Sequence, residues 1–159
     1  LVYFEKNFID KKFYYGFDSF EGYPEPSKFD KSFRDAKKGD WSHTNEKYVI
    51  QILSELGFSS NEIEKHLNFV VGFYDNTIPS FECGKLCLIH LDCDLYESTK
   101  ISLNKFFPKL EKNGVIIFGG YHNQKQWPGM TKAIDEFFGD DAKLIKYDQI
   151  SNKPYMIKI

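Results

Sequence analysis

The sequence predicts an α/β domain built on a mainly parallel sheet. Short apolar bursts alternate with segments of helical period, turn residues separate them, and no internal repeat or low-complexity stretch breaks the pattern. At 159 residues and 42% hydrophobic content, the chain suits one domain with a packed core. Its 18% aromatic content, with 16 Phe and 10 Tyr, argues for a dense interior rather than disorder.

Residues 12–17 read as the first strand, ending at Asp18. The stretch to Lys38, with Pro24 and Pro26, is loop-like and long enough for a lid or substrate loop. Trp41-Ser42-His43-Thr44 then opens a helix in which Val49, Ile52, Leu53 and Leu56 form one stripe and Gly57 supplies the stop, so it is expected to cover a sheet face. A short helix over 61–66 leads to a strand over 68–72 and a turn through Asp75-Asn76 and Pro79. Residues 85–91 read as a buried strand. Leu103, Phe106, Phe107 and Leu110 mark a second helix closed by Pro108 and Asn113-Gly114, followed by a fully apolar strand over 115–118. Met130, Ala133, Ile134, Phe137 and Phe138 form a third stripe stopped at Gly139, and residues 143–147 and 155–159 can pair as a hairpin around Ser151-Asn152. The total is about six strands and three to four helices.

Charge and cysteine content narrow the function. A net charge of -2 with the two signs interspersed gives no footprint for nucleic acid. No apolar run reaches the roughly 20 residues that span a bilayer, and residues 1–12 lack the apolar core of a secretory signal. Cys83, Cys87 and Cys93 have no C-x-x-C spacing and read as reduced core thiols, so a cytoplasmic location is expected.

The segment from Leu91 to Thr99, Leu-Asp-Cys-Asp-Leu-Tyr-Glu-Ser-Thr, carries the strongest chemical signal. Along a strand, side chains two apart share a side, roughly 6.5–7 Å apart at Cα, so Asp92 and Asp94 could serve one metal or one substrate. The alternatives are an acid/base pair, or a solvated turn that caps the next helix. Ligands of open α/β sheets bind beyond the carboxyl ends of the strands, which is where Asp92, Asp94 and Asp18 fall. Asp18-Ser19 suits recognition of ribose hydroxyls, or simply a turn. His90 reads as a core histidine, His66 as an inert surface residue, and His43 and His122 as candidates for substrate contact. Gly119-Gly120 permits close backbone approach or a tight turn. Neither G-x-G-x-x-G nor a phosphate loop occurs.

These blocks in this order resemble the macrocin O-methyltransferase family of S-adenosylmethionine-dependent sugar O-methyltransferases. The resemblance rests on Gly16-Phe17-Asp18-Ser19-Phe20-Glu21-Gly22 with Pro24, on Gly72-Phe73-Tyr74-Asp75-Asn76-Thr77-Ile78-Pro79, and on the Asp92 to Thr99 block. It continues from Asn113-Gly114-Val115-Ile116-Ile117 through Tyr121-His122 to Pro128-Gly129 and Ala133-Ile134-Asp135-Glu136-Phe137. It implies a Rossmann-like class I methyltransferase sheet, a small sugar-containing substrate and Mg²⁺ as a second cofactor. It further implies Asp94 and His122 as catalytic residues, Asp18, Ser19 and Asp92 as cofactor-binding residues, and Asp92 as the metal ligand. An inactive binding domain and, less well matched, a metal-nucleotide glycosyltransferase are the other readings. Two departures accompany the likeness. The family has an Asp-Asp pair where this chain has Gly119-Gly120, so metal affinity is expected to be weak or lost. The first strand and its glycine-rich donor turn are absent as well, so residues 1–159 are expected to form one N-terminally truncated domain, and self-association into a homo-oligomer is left open.

Overall fold

The computed structural model describes residues 12–121 and 123–159, and the expected alternation of strands and helices forms there as two sheets rather than one. Strand β1 (Tyr14–Asp18) pairs in parallel with β2 (Leu67–Val71), Asp18 lying opposite Val71. The other strands are β3 (Leu86–Leu91), β4 (Leu110–Phe118), β5 (Lys146–Tyr147) and β6 (Pro154–Ile157), in the order β3-β4-β6-β5. β3 and β4 run parallel with Leu91 opposite Phe118, and the β5–β6 hairpin closes the edge antiparallel to β4. Among the described residues no strand joins β1 to β3.

The helices are α1 (Glu46–Glu55), α2 (Ser60–His66), α3 (Tyr74–Thr77), α4 (Tyr96–Phe106) and α5 (Pro128–Phe138). The core lies where β3, β4 and β6 meet α4 and α5, and contains Leu91, Leu103, Leu110, Ile116, Phe118, Met130, Ile134 and Met156. Ile116 and Phe118 are fully buried because β4 is an interior strand between β3 and β6. Helix α5 stops at Gly139, whose φ of 52° lies in the left-handed region that a chiral residue enters at a cost.

Several expectations are corrected. Helix α1 begins at Glu46 rather than at Trp41, because Asn45 is its cap and takes the Tyr48 N–H at 2.9 Å. Its apolar stripe covers no sheet face: no α1 residue is buried, and the helix packs mainly beside α2. Strand β3 is an edge strand and only Leu91 is buried in it, so the expected buried strand is half covered. His90 and Cys87 on that strand are exposed, neither a core histidine nor a core thiol. His66 is buried, with Nδ1 2.9 Å from the Lys12 carbonyl oxygen, and ties α2 to the approach of β1 instead of lying inert on the surface. Leu110 opens β4 rather than extending the α4 stripe, since Pro108 ends helical hydrogen bonding.

The loop after β1 is fastened by one buried carboxylate that the sequence did not single out. Asp30 Oδ2 accepts both the backbone N–H and the hydroxyl of Ser27 at 2.7 Å. Its Oδ1 accepts the N–H of Tyr96, the first residue of α4, at 2.8 Å. A carboxylate here also faces the positive end of the helix dipole. Gly129 in α5 leaves the room: a Cβ there would fall 1.8 Å from Asp30 Oδ1. Asp30→Ala is expected to lower stability by about 2–3 kcal/mol by stranding buried donors, and Gly129→Ala by a similar amount by expelling the carboxylate, both as a drop in the midpoint of urea unfolding.

Candidate functional site

A cleft of about 560 Å³ opens beyond the carboxyl ends of β1 and β3, a size usual for small-molecule sites. Asp18 enters it from β1, Asp92, Cys93 and Asp94 from the turn after β3, and Phe73 and Tyr74 from the start of α3. The long loop supplies Tyr23, Arg34 and Trp41, and the segment before α5 supplies Trp127. The cleft is therefore shared between the two sheets, with the loop spanning them.

The two central carboxylates lie beyond the strand, which ends at Leu91, so strand alternation does not bring them together. A sharp turn does: Asp94 has φ 58°, and the Leu95 N–H bonds back to the Cys93 carbonyl at 2.6 Å. Cys93 sends its thiol inward to the Thr99 hydroxyl at 3.4 Å, and burial pushes that thiol up to about 12. Asp92 is exposed and Asp94 half-buried.

Asp94 Oδ2 accepts the Tyr23 hydroxyl at 2.5 Å. Burial raises the Asp94 carboxyl above the usual carboxylate range, the Tyr23 bond and the Arg34 charge oppose the rise, and the Asp92 charge adds to it. Burial and the same bond push the Tyr23 hydroxyl well above the ordinary phenol value. Tyr23 packs edge-on to Trp127, and the Arg34 guanidinium carbon lies 5.0 Å from the ring centres of both Trp41 and Trp127. The Ser32 hydroxyl bonds to the Gln126 carbonyl at 2.9 Å, pinning the loop beside Trp127.

The other sequence candidates divide. Asp18 lines the cleft while one oxygen caps a turn through the Phe20 N–H at 2.8 Å. Ser19 borders the cleft with its hydroxyl committed to the Gly22 carbonyl at 3.0 Å, which leaves it a turn residue. His43 is exposed and is not among the lining residues, although Trp41 and Thr44 are. His122 lies outside the described residues. Tyr23, Arg34, Trp41 and Trp127 were missed: they are far apart in sequence, and the only available hint was the lid-like length of the loop.

Gly119 and Gly120 are both buried, and neither adopts a left-handed φ, so the backbone itself does not demand glycine. A Cβ on Gly119 would fall 1.8 Å from Asp92 Oδ1, and one on Gly120 would fall 3.0 Å from the Trp127 ring and 3.1 Å from the Met130 sulfur. The space that side chains would need there is filled.

Residues 3–151 match the macrocin-O-methyltransferase (TylF) family. The chain belongs to that family. It is 32% identical over 86 residues to the 8-demethyl-8-(2,3-dimethoxy-alpha-L-rhamnosyl)-tetracenomycin-C 4'-O-methyltransferase of Streptomyces olivaceus, covering 48% of this chain and 33% of the relative. It is 29% identical over 75 residues to the demethyldecarbamoylnovobiocin O-methyltransferase of Streptomyces niveus, covering 47% and 28%. Two crystal structures share the fold: the calicheamicin methyltransferase CalS11, with a TM-score of 0.70 at 23% identity over 90% of this chain and 59% of that one, and the O-methyltransferase NovP, with 0.65 at 20% over 98% and 63%. The match thus spans about a third of the curated relatives and three fifths of the solved ones.

The described residues do not fit a Mg²⁺ cage. Mg²⁺ requires near-octahedral oxygen coordination. Among the described residues no three of His, Cys, Asp and Glu converge on one point, and Asp92 points into the space beside Gly119.

The opposing influences on Asp94 make a pair of substitutions diagnostic. Tyr23→Phe removes an interaction that favours the ionised form, so the Asp94 titration is expected to move to higher pH; Asp92→Asn removes a like charge and moves it lower. Carboxyl-carbon NMR titration reads both. Because the folded pKa is raised, the stabilising contribution is full below the unfolded carboxylate value and is lost as pH rises through the folded one.

Proposed function

We propose that this domain is part of an S-adenosylmethionine-dependent O-methyltransferase acting on a sugar hydroxyl, with Asp94 as general base. The observation that carries the reading is the Tyr23–Asp94 bond at 2.5 Å on the wall of the cleft. Tyr23 occupies Oδ2 and orients the carboxylate, leaving Oδ1 for an acceptor hydroxyl. A carboxyl raised by burial is a stronger base than an exposed one, and its Tyr23 bond and the Arg34 charge favour the ionised form. Family membership and the rhamnosyl acceptor named for the Streptomyces olivaceus relative support a glycoside substrate.

When bound, the donor supplies an electrophilic sulfonium methyl, and the C–S bond breaks with its electron pair returning to sulfur. Asp18, free on one side of its turn, would hold the ribose hydroxyls, with Phe73 and Tyr74 on the same wall. Asp94 receives the hydroxyl proton as the acceptor oxygen forms its bond to the methyl carbon. His122, next to the cleft segment in sequence, is proposed as a second acceptor contact.

Residues 1–159 are proposed to be one domain. Calorimetry with S-adenosylhomocysteine tests donor recognition in this chain and in one extended upstream, the extended chain being expected to bind more tightly. Asp94→Asn in the extended chain is expected to lower kcat by about 10²–10⁴-fold with donor binding retained, measured by methyl incorporation into rhamnosides. A second reading, sugar binding without turnover, rests on the filled space at Gly119 and Gly120. Donor binding without any methyl incorporation would favour it.

A further inference from the structure

We propose that Arg34 is the cation of this cleft, holding the oxygens of the acceptor sugar that a divalent ion would otherwise hold, so that the site works without metal. The inference rests on the sugar-acceptor reading and begins with how the ligand positions are filled. The Asp92 carboxylate occupies the space of a side chain at residue 119, and the Trp127 indole with Met130 occupies that at 120. A side chain at 119 would move the end of the exposed Asp92 carboxylate, and one at 120 would need the indole or the sulfur to give by a few tenths of an ångström. The corner is occupied by other side chains rather than left open.

Trp127 leads from that corner to Arg34. One edge of the indole blocks the space at Gly120, while the guanidinium lies over the ring at 5.0 Å, with Trp41 at the same distance from it. Two aromatic contacts fix the guanidinium plane and spare much of the entropy an exposed arginine loses on binding. Among the described residues the Arg34 side chain makes no ion pair and no hydrogen bond, only its backbone N–H being taken by the Ser32 hydroxyl, so its fork of N–H donors is uncommitted. It is also the only Lys or Arg among the described residues that line the cleft, facing Asp18, Asp92 and Asp94. Its charge reaches both Asp94 and Tyr23.

Such a guanidinium suits the task. Two parallel N–H groups can donate to two neighbouring oxygens of a vicinal diol, setting the reacting hydroxyl against the base. Arginine is less hydrated than an ammonium and never loses its charge at working pH, so it can enter a partly closed cleft as a fixed cation.

The test uses the whole chain with Mn²⁺ and methyl α-L-rhamnopyranoside as probes. Titration with Mn²⁺ followed by electron paramagnetic resonance is expected to show no saturable site that differs between the wild type and Asp92→Asn. Titration with the rhamnoside in EDTA, followed by tryptophan fluorescence, is expected to show binding that added Mn²⁺ does not change. That binding should weaken about tenfold or more in Arg34→Met and recover in part in Arg34→Lys, with circular dichroism confirming that both variants fold. One saturable Mn²⁺ per chain lost in Asp92→Asn overturns the proposal. So does sugar binding that is absent in EDTA, that requires Mn²⁺, or that survives unchanged in Arg34→Met. None of these readings depends on donor binding or methyl transfer, so failure of the proposed activity leaves them interpretable.

Discussion

The Asp30 carboxylate is the constraint on which the cleft depends. It is 6% exposed and has bonds to two groups of Ser27 and to the first N–H of α4. That N–H belongs to Tyr96, two residues after Asp94, so the loop that carries Tyr23 and Arg34 is anchored to the element that starts where the central carboxylates end. An unanchored loop of this length would have to order itself each time a ligand bound. Around the anchor, Phe29 packs against Tyr96 with ring centres 4.6 Å apart, and Lys132 lies over Phe29 at 4.9 Å, so the apolar surroundings that make a buried carboxylate expensive also hold it in place. Helix α5 contributes an omission, since only glycine at 129 lets the carboxylate reach the helix end.

The two sheets meet through aromatic side chains rather than through a shared strand. Phe17 on β1 touches Phe81 at 5.0 Å and Phe106 of α4 at 5.2 Å, Tyr15 adds an edge-on contact to Phe81, and the Tyr74 hydroxyl bonds to the Phe17 carbonyl at 3.0 Å. Such contacts fix distance more loosely than a ladder of backbone hydrogen bonds does. The spacing between Asp18 on one sheet and Asp94 on the other is thus set by this cluster and by the loop tethered at Asp30. That division explains why β3, which reads in sequence as a buried strand, is only half covered here.

What the sequence made legible follows from which signals are local. The six strands, the α4 and α5 stripes and the terminal hairpin were readable because each is a periodic pattern bounded by turn residues within about 15 positions. The α1 stripe misled because amphipathic period reports a helix with an apolar face, not what that face covers. Histidines 66 and 90 were misplaced for the same reason: burial at those positions depends on whether a neighbouring element is present, and the run of flanking residues does not encode that. At the site, Asp18, Asp92 and Asp94 were found because strand ends announce themselves. Tyr23, Arg34, Trp41 and Trp127 meet only through the folded loop, with contacts such as Ser32 to Gln126 spanning 94 positions.

The glycines at 119 and 120 and the charge of the cleft are linked by electrostatics. Three carboxylates and one guanidinium line the cleft among the described residues. Two further aspartates without a divalent cation would add like charges close to Asp92, and like charges in a partly desolvated space drive one another toward protonation. That would raise Asp94 beyond its present position, since burial and Asp92 already push it upward. With glycine at both positions, the Asp92 carboxylate lies in the volume at 119, and the Tyr23 bond and the Arg34 charge favour the ionised form of Asp94. Glycine at 119 and 120 therefore spares Asp94 further like charge, and the Arg34 charge acts on it in the same direction.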